Sequence, residues 1–282
     1  MIQDIFPSQF SNAYDANLHP EAESVTFYFQ DNKLLVRLVN GRIYFPYWKE
    51  FVKKPRYQYL FSINDTTFFL AEEGNLPIPR GYSYYPLRDL RKENRGASHK
   101  MFAAFTAQHL RNWYLQNRFC GSCGSVTIHD IKERALRCQA CGRVIYPRIN
   151  PAVIVGVRNG NKILLTKYAH LRCIPYYALI AGFCEIGETI EETARREVME
   201  EVGLQIKNLS YYKSQPWGIA DDLLMGFFCD LDGADTIRID KNELVRAEWV
   251  NRENICPQAD DFSLTNEMMM CFKAGKDREC RL

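Results

Sequence analysis

Apolar and polar positions follow two different periods along this chain, and the switch between them divides it. In the first ninety residues or so the pattern is short-range. Val25–Gln30 and Lys33–Val39 flank Asp31-Asn32, Asn40-Gly41 precedes Arg42–Phe45, and Phe61–Ile63 and Thr66–Ala71 flank Asn64-Asp65. Short β-prone runs around two turn-forming residues predict hairpins, because Asn, Asp and Gly tolerate the left-handed backbone that tight turns use. Glu72–Tyr85, rich in Gly, Pro and Tyr, predicts a loop, and the strongly charged Arg88–Arg95 an exposed segment. Ser98–Gln116 then takes a helical period, with Phe102, Phe105, His109 and Trp113 on or near one face. His109 is expected there as a packed side chain and not as a ligand.

Past Asn150 the strand pattern returns. Ala152–Val157 and Lys162–Lys167 surround a turn at Asn159-Gly160, Leu223–Cys229 and Ala247–Val250 predict later strands, and Asn266–Lys273 a closing helix. Between these strands lies one more segment of helical period. Ile190, Ala194, Val198 and Val202 recur every four residues and form an apolar side. Thr189 with Glu192 fits a capping box that starts this helix, and Gly203 suits the left-handed residue that ends it. Gly182 and Gly187 are expected to let the preceding loop turn tightly.

The polar side of that helix carries the candidate chemistry. Gly182–Leu204 holds seven acidic residues in 23 positions. Glu197, Glu200 and Glu201 stand at i, i+3 and i+4, so one face is expected to present three carboxylates. Divalent Mg²⁺ or Mn²⁺, which take oxygen ligands, resolve the repulsion among them. Metal-bound carboxylates beside a glycine loop are suited to hydrolysing a phosphate linkage. Arg196, four residues before Glu200, can hold that carboxylate in one geometry. The plain alternative is an acidic, solvated helix with ordinary ion pairs.

The cysteines add a second centre. Cys120-Gly-Ser-Cys123 is followed after fourteen residues by Cys138-Gln-Ala-Cys141. Two such pairs predict a tetrahedral Cys₄ zinc site, and four protein ligands with no open position make that zinc structural. Gly121, Gly124 and Gly142 suit the turns that point the sulfurs inward. The alternative is four buried or redox-active thiols. Cys173, Cys184, Cys229, Cys256, Cys271 and Cys280 show no ligand spacing, and Cys184, inside the glycine loop, is expected to be a small buried thiol.

Composition narrows the setting. With 282 residues, 46% of them hydrophobic and 25% charged, the chain has the make-up of a soluble protein with room for two cores. A net charge of +2 argues against strong generic affinity for nucleic acid or membrane, and no apolar run approaches a membrane span. Met1–Pro7 lacks the basic and apolar regions of a secretory signal, and the cysteine spacing favours metal over disulfides, so a cytoplasmic protein is expected. The predicted organisation is a β-rich N-terminal domain over 1–96, a connecting helix over 97–118, a zinc ribbon over 119–147 and a final domain over 148–282.

Gly182, five residues, Glu188, seven residues, Arg196-Glu197, Val198, one residue, Glu200-Glu201, one residue, Gly203 and Leu204 match the Nudix box at every fixed position. The chain thus resembles the Nudix hydrolases. The resemblance implies an α+β protein with the Nudix α/β/α sandwich, and Mg²⁺- or Mn²⁺-dependent hydrolysis of a nucleoside diphosphate joined to another group. The zinc ribbon ahead of the box, Tyr146-Pro147 just past the last cysteine of the module, and Ser214-Gln-Pro-Trp217 ten residues after the box are similar to the bacterial NADH pyrophosphatases, also called NAD(+) diphosphatases. That likeness covers about Phe119 to Trp249. It implies a degenerate, non-catalytic Nudix-like domain before the ribbon and a homodimer. The implied reaction is cleavage of NADH or NAD⁺ to nicotinamide mononucleotide and AMP, with NAD-capped RNA a further substrate of the family.

By the same resemblance, Glu197 and Glu201 are metal ligands, Glu200 is a further ligand or the base that orients water, and Arg196 belongs to the catalytic set. Glu243 is the best match to a further acidic ligand, against the alternative of an exposed surface residue. Tyr146 and Phe183 match positions that stack on the nucleotide, and Gln215 and Trp217 match the substrate loop. A packed core residue is the alternative for each aromatic. Stacking of a base on such a ring contributes about 1–3 kcal/mol. One departure stands out. The family continues Gln-Pro-Trp with Pro-Phe-Pro, a variable residue and Ser, whereas this chain continues Gly218-Ile219-Ala220-Asp221-Asp222. Gly218 is expected to loosen the loop, and an acidic pair arrives near a site meant for an anion. The hydrolytic residues are intact. Substrate preference is therefore what the change leaves open, with ADP-ribose or another ADP-sugar and dinucleoside polyphosphates as alternatives. A reading from a different class is a non-catalytic, nucleotide-binding zinc-ribbon protein.

Overall fold

In the computed structural model, which describes residues 1–92, 98–169 and 176–279, the chain divides into two units. One comprises Ile2–Arg148 with Gly218–Ala220, the other Ile149–Trp217 with Met1 and Asp221–Leu282. Cys173, Cys280 and the Glu93–Arg95 end of the charged stretch lie outside the described residues.

The first unit begins with eight short strands: β1 (Phe10–Ser11), β2 (Val25–Phe27), β3 (Phe29–Gln30), β4 (Lys33–Val39), β5 (Arg42–Tyr44), β6 (Tyr57–Ile63), β7 (Thr66–Ala71) and β8 (Ser83–Pro86). They form two sheets, one in the order β1-β6-β7-β2 and one in the order β3-β4-β5 with β8 also on β4. The expected turns are present. Asp31 and Asn32 (φ 49° and 59°) join β3 to β4, Asn40 and Gly41 (φ 49° and 74°) join β4 to β5, and Asn64 (φ 51°) lies in the β6–β7 turn. Two expectations are corrected. Val25–Gln30 is not one strand, because β2 pairs in parallel with β7 while β3 pairs with β4. Glu72–Tyr85 is not loop to its end, because Ser83–Pro86 pairs with Lys33–Val36. A period of two says that a segment is extended but not which sheet receives it.

Two helices follow, α1 (Leu87–Lys92) and α2 (Ser98–Gln116). Leu90 is buried, so the charged stretch is anchored by an apolar side chain and is not wholly exposed. On α2, Phe102, Phe105 and Trp113 are buried as the periodicity requires. His109 packs on the same unit, with its Nε2 2.8 Å from the Arg148 carbonyl oxygen. The cysteine module closes this unit with a three-stranded antiparallel sheet, β9 (Thr127–His129), β10 (Leu136–Cys138) and β11 (Val144–Ile145), in the order β11-β10-β9.

The second unit contains β12 (Asn150–Asn159), β13 (Lys162–Tyr168), β14 (Ile180–Phe183), α3 (Ile190–Val202), β15 (Gln205–Trp217), β16 (Asp222–Asp232), β17 (Leu244–Asn251) and α4 (Leu264–Lys273). Its mixed sheet runs β15-β16-β12-β13-β17, with β14 also on β12. The β12–β13 turn is Gly160-Asn161, one residue later than expected, because Asn159 still pairs with Lys162. Strand β12 shows how the layers form. Val153, Val155 and Val157 belong to a core with Ala194, Val198 and Val202 of α3. Ala152 and Ile154 belong to another with Leu264, Met268, Met269 and Phe272 of α4. Alternate residues of a strand face opposite sides, so one helix covers each face of the sheet and an α/β/α sandwich results. Each valine buried there contributes about 1.5–3 kcal/mol. Gly156 completes the α4-facing series, since a Cβ there would lie 2.8 Å from Phe228 Cδ1.

Candidate active site and metal centre

In the ribbon, Cys120 and Cys138 open two turns of the same build. Gly124 donates its N–H to the Cys120 carbonyl at 2.8 Å and Gly142 donates to the Cys138 carbonyl at 3.0 Å. Gly124 and Gly142 sit at φ 74° and 75°, where a side chain is disfavoured, whereas Gly121 lies outside that region. The Ser122 N–H donates to Cys120 Sγ at 3.4 Å. Across the two turns, Cys120 and Cys141 Sγ are 3.6 Å apart and Cys123 and Cys138 Sγ 3.4 Å apart. All four sulfurs lie within 4.8 Å of one another. Zinc–sulfur bonds of about 2.3 Å in a tetrahedron place sulfurs about 3.8 Å apart, so the donor set fits a structural zinc.

Helix α3 begins and ends as its caps dictate. Thr189 Oγ1 accepts from the Glu192 N–H at 3.2 Å, and Glu192 Oε2 accepts from the Thr189 N–H at 2.8 Å. Gly203, at φ 68°, donates to the Met199 carbonyl. Gly187 (φ 97°) makes the expected turn before the helix. Gly182 does not: it lies on β14, and the reason for glycine there is space. A Cβ on Gly182 would sit 1.9 Å from Glu197 Cδ.

The three carboxylates of α3 are not equivalent. Glu197 is 8% exposed and Glu201 1%, while the side chain of Glu200 is 60% exposed. Burial pushes the Glu197 carboxyl upward, Arg196 opposes that shift, and the charges of Glu200 and Glu243 add to it. Glu243 itself is exposed. Its loop is tied to the end of α3, where the Asp240 N–H donates to the Glu201 carbonyl at 2.9 Å.

Arg196 organises this group. Its Nε donates to Glu188 Oε1 at 2.5 Å and its Nη2 to Glu188 Oε2 at 2.9 Å. Nη1 reaches Glu197 Oε1 at 2.7 Å and Glu200 Oε2 at 2.9 Å, and Nη2 also donates to the Phe183 carbonyl at 2.9 Å. The expected Arg196–Glu200 contact is thus one of several. Glu188 is the stronger partner, and it was absent from the candidate residues read from sequence. Its signal was the fixed spacing to Arg196 in the box. The bidentate pair, the Glu185 N–H and the Thr193 hydroxyl hold the Glu188 carboxyl down at about 2. Three carboxylates on one guanidinium, with the nearly buried Glu201 on the same helix, supply oxygen donors of the kind that divalent cations take.

The remaining candidates separate. Phe183, at the end of β14, is 51% exposed with its carbonyl held by Arg196, so its ring is open to a ligand. Trp217 ends β15, half-buried against the α4-side core. Gln215 is fully buried: its Nε2 donates to the Phe262 carbonyl and its Oε1 accepts from the Leu264 N–H, both at 2.7 Å. Gln215, expected in the substrate loop, thus supports the segment leading into α4 through its side chain. Tyr146 belongs to the first unit, is 57% exposed and donates its hydroxyl to Glu133 at 2.9 Å. At Gly218 close packing leaves no room for a side chain, because a Cβ there would lie 2.6 Å from the Phe105 carbonyl oxygen. Cys184 is partly exposed, not the buried thiol expected. Among the described residues, no helix is long and apolar enough to cross a membrane.

Comparison with known proteins agrees with this geometry. The NUDIX domain matches residues 148–269, and the NADH pyrophosphatase zinc ribbon domain matches residues 115–146. The NAD-capped RNA hydrolase NudC of Chromobacterium violaceum is 39% identical over 185 residues, which are 65% of this chain and 68% of that protein. The NudC proteins of Photorhabdus laumondii and Pectobacterium atrosepticum are 41% and 42% identical over 146 residues, 52% of this chain. These matches span 56% and 55% of those two relatives' own length. A complete Nudix box on its capped helix, with a Cys₄ ribbon of the NADH pyrophosphatase type ahead of it, makes this chain a member of the Nudix hydrolases that carry that ribbon.

Proposed function

We propose that this protein hydrolyses the pyrophosphate bond of NADH and NAD⁺ to nicotinamide mononucleotide and AMP, and acts likewise on NAD at the end of RNA. The observation that carries the reading is the pair of nearly buried carboxylates, Glu197 and Glu201, beside an Arg196 locked to Glu188. The relatives' names support the choice of substrate. Glu197, Glu200, Glu201 and Glu243 would hold Mg²⁺ or Mn²⁺, and Cys120, Cys123, Cys138 and Cys141 the structural zinc. A divalent ion so bound supplies charge neutralisation at the two phosphates and lowers the pKa of the attacking water.

The chain's own residues do the rest. Arg196 keeps Glu197 and Glu200 in place, and Glu200, the most accessible of the three helix carboxylates, orients water for attack on phosphorus as the bridging P–O bond breaks. The open ring of Phe183 stacks on the nucleotide and Trp217 shapes the substrate loop; by the family resemblance alone, Tyr146 is a further stacking ring. Gln215 acts at one remove, by holding that loop's base. The family resemblance further suggests a homodimer, and the cysteine spacing a cytoplasmic setting.

A second reading has one observation in its favour. The turn Gly218–Asp222 replaces the rigid turn of the NADH pyrophosphatases with an acidic pair, which favours a different nucleoside diphosphate such as ADP-ribose or a dinucleoside polyphosphate. Profiling NADH, NAD⁺, ADP-ribose, diadenosine polyphosphates and NAD-capped RNA with Mn²⁺ decides between them. Release of nicotinamide mononucleotide from NADH is the expected result, with turnover abolished in Glu201→Gln. Brisk turnover of another compound without NADH hydrolysis would establish the second reading. Binding without any turnover would make the protein a nucleotide-binding module.

A further inference from the structure

A cavity of about 600 Å³ lies within the first unit, between β6 and β7, the last turns of α2 and the ribbon strands β9 and β10. None of the residues assigned above to the Nudix site or to zinc lines it. Its size falls within the range of about 300–1,000 Å³ usual for small-molecule sites.

The lining pairs flat rings with positive charge. Tyr114 and His129 stand 4.8 Å apart at an interplanar angle of 57°, and Phe119 leaves 59% of its surface exposed. Rings in such a position provide stacking surface for a planar heteroaromatic ligand. Arg111 is buried, bonded to Glu73 and to Asn32 Oδ1 (2.9 Å), with its guanidinium 5.1 Å from the centre of the Phe29 ring. Arg56 lies 3.8 Å from Glu72. Arg118 lines the same cavity and has no carboxylate partner among the described residues. Three guanidinium groups against two carboxylates leave one positive charge unmatched, on the exposed Arg118. Gln58 and the ring nitrogens of His129 offer hydrogen bonds to the edge of a base.

From these features we propose that the cavity is a second nucleotide site, which stacks a base against the Tyr114, His129 and Phe119 rings and pairs its phosphate with Arg118. The nucleotide is either free or one unit of a single-stranded RNA. The site is independent of the compound the Nudix site hydrolyses, so each can fail without the other.

The test uses the full-length, zinc-loaded protein without added Mg²⁺ or Mn²⁺. AMP and an uncapped single-stranded RNA of about five nucleotides, within the usual footprint of such grooves, are titrated into wild type, Arg118→Glu, Phe119→Ala and, as a Nudix-site control, Phe183→Ala. The expected result is a loss of affinity of about tenfold or more for at least one probe in Arg118→Glu and Phe119→Ala, with NADH turnover unchanged. A response to AMP identifies a site for free nucleotide, and a response to RNA alone a site for a chain. Phe119→Ala decides the matter if Arg118→Glu loses zinc or native circular dichroism. Absence of binding by wild type, or affinities unchanged in both cavity variants, including weakening in Phe183→Ala alone, would overturn the proposal.

Discussion

Gly182 and Glu197 occupy adjoining space so tightly that a Cβ on the glycine would lie 1.9 Å from Glu197 Cδ and 2.1 Å from its Oε1. The carboxylate fills the volume that any side chain at this point of β14 would take. Glycine is required here by contact with α3 and not by backbone conformation, since Gly182 has no positive φ.

Gly182→Ala follows directly. The atoms displaced are the far end of a flexible side chain, so the chain can adapt at little cost in stability. The Glu197 carboxylate, however, must leave its position beside Arg196. Turnover is expected to fall by about 10²-fold or more, with a thermal midpoint within about 2 °C of wild type. Steady-state kinetics and thermal denaturation on the same preparation check this, and near-normal turnover would show that the position of Glu197 is unimportant.

Gln215→Ala separates support from substrate contact. It leaves the Phe262 carbonyl and the Leu264 N–H without their buried partner, at about 1–3 kcal/mol for each orphaned group. Stability should fall and KM change little. A large rise in KM at unchanged thermal midpoint would instead place Gln215 against the substrate.

Asp277 holds the C-terminal segment through two ion pairs, one with the nearly buried Arg158 and one with the more accessible Arg252. It accepts from Arg158 at 3.2 Å and from Arg252 at 2.9 Å, and its side chain is 1% exposed. Removing one partner of a buried pair costs about 3–5 kcal/mol. Arg158 keeps Asp230 at 3.0 Å, so Asp277→Ala should cost about 3 kcal/mol, near the low end. Denaturant unfolding measures it, and a loss below about 1 kcal/mol, the usual worth of a surface pair, would mean that this pair behaves as an exposed one.

Metal analysis addresses the ribbon. Wild type should contain one tightly bound zinc per chain, and Cys138→Ser should lose it together with the order of the ribbon, because the site's binding energy is also its folding energy. Zinc retained in full by Cys138→Ser would remove this cysteine from the ligand set.

Acid sensitivity reports the Glu188–Arg196 pair. The Glu188 carboxyl is held from 4.5 down to about 2, chiefly by Arg196. A carboxyl that titrates lower in the folded than in the unfolded chain adds stability above its ordinary value and loses it as the pH falls through the folded value. Between pH 4.5 and about 2, wild type should therefore lose stability more steeply than Glu188→Gln. Parallel curves would show that the pair is not formed in solution.

What could be read from the chain alone was what near neighbours in sequence decide. The limits of α3 follow from Thr189, Glu192 and Gly203, the zinc ribbon from two C-x-x-C pairs, and three of the hairpins from their Asn, Asp and Gly turns. These features depend on contacts within a few residues, so local period and spacing encode them. Tertiary structure alone decided which strand faces which side chain. It buried Glu197 and Glu201 while leaving Glu200 in solvent, turned Gln215 inward, and sent Val25–Phe27 and Phe29–Gln30 to different sheets. Burial and pairing of this kind depend on elements distant in sequence packing against one another, and no local pattern carries that information.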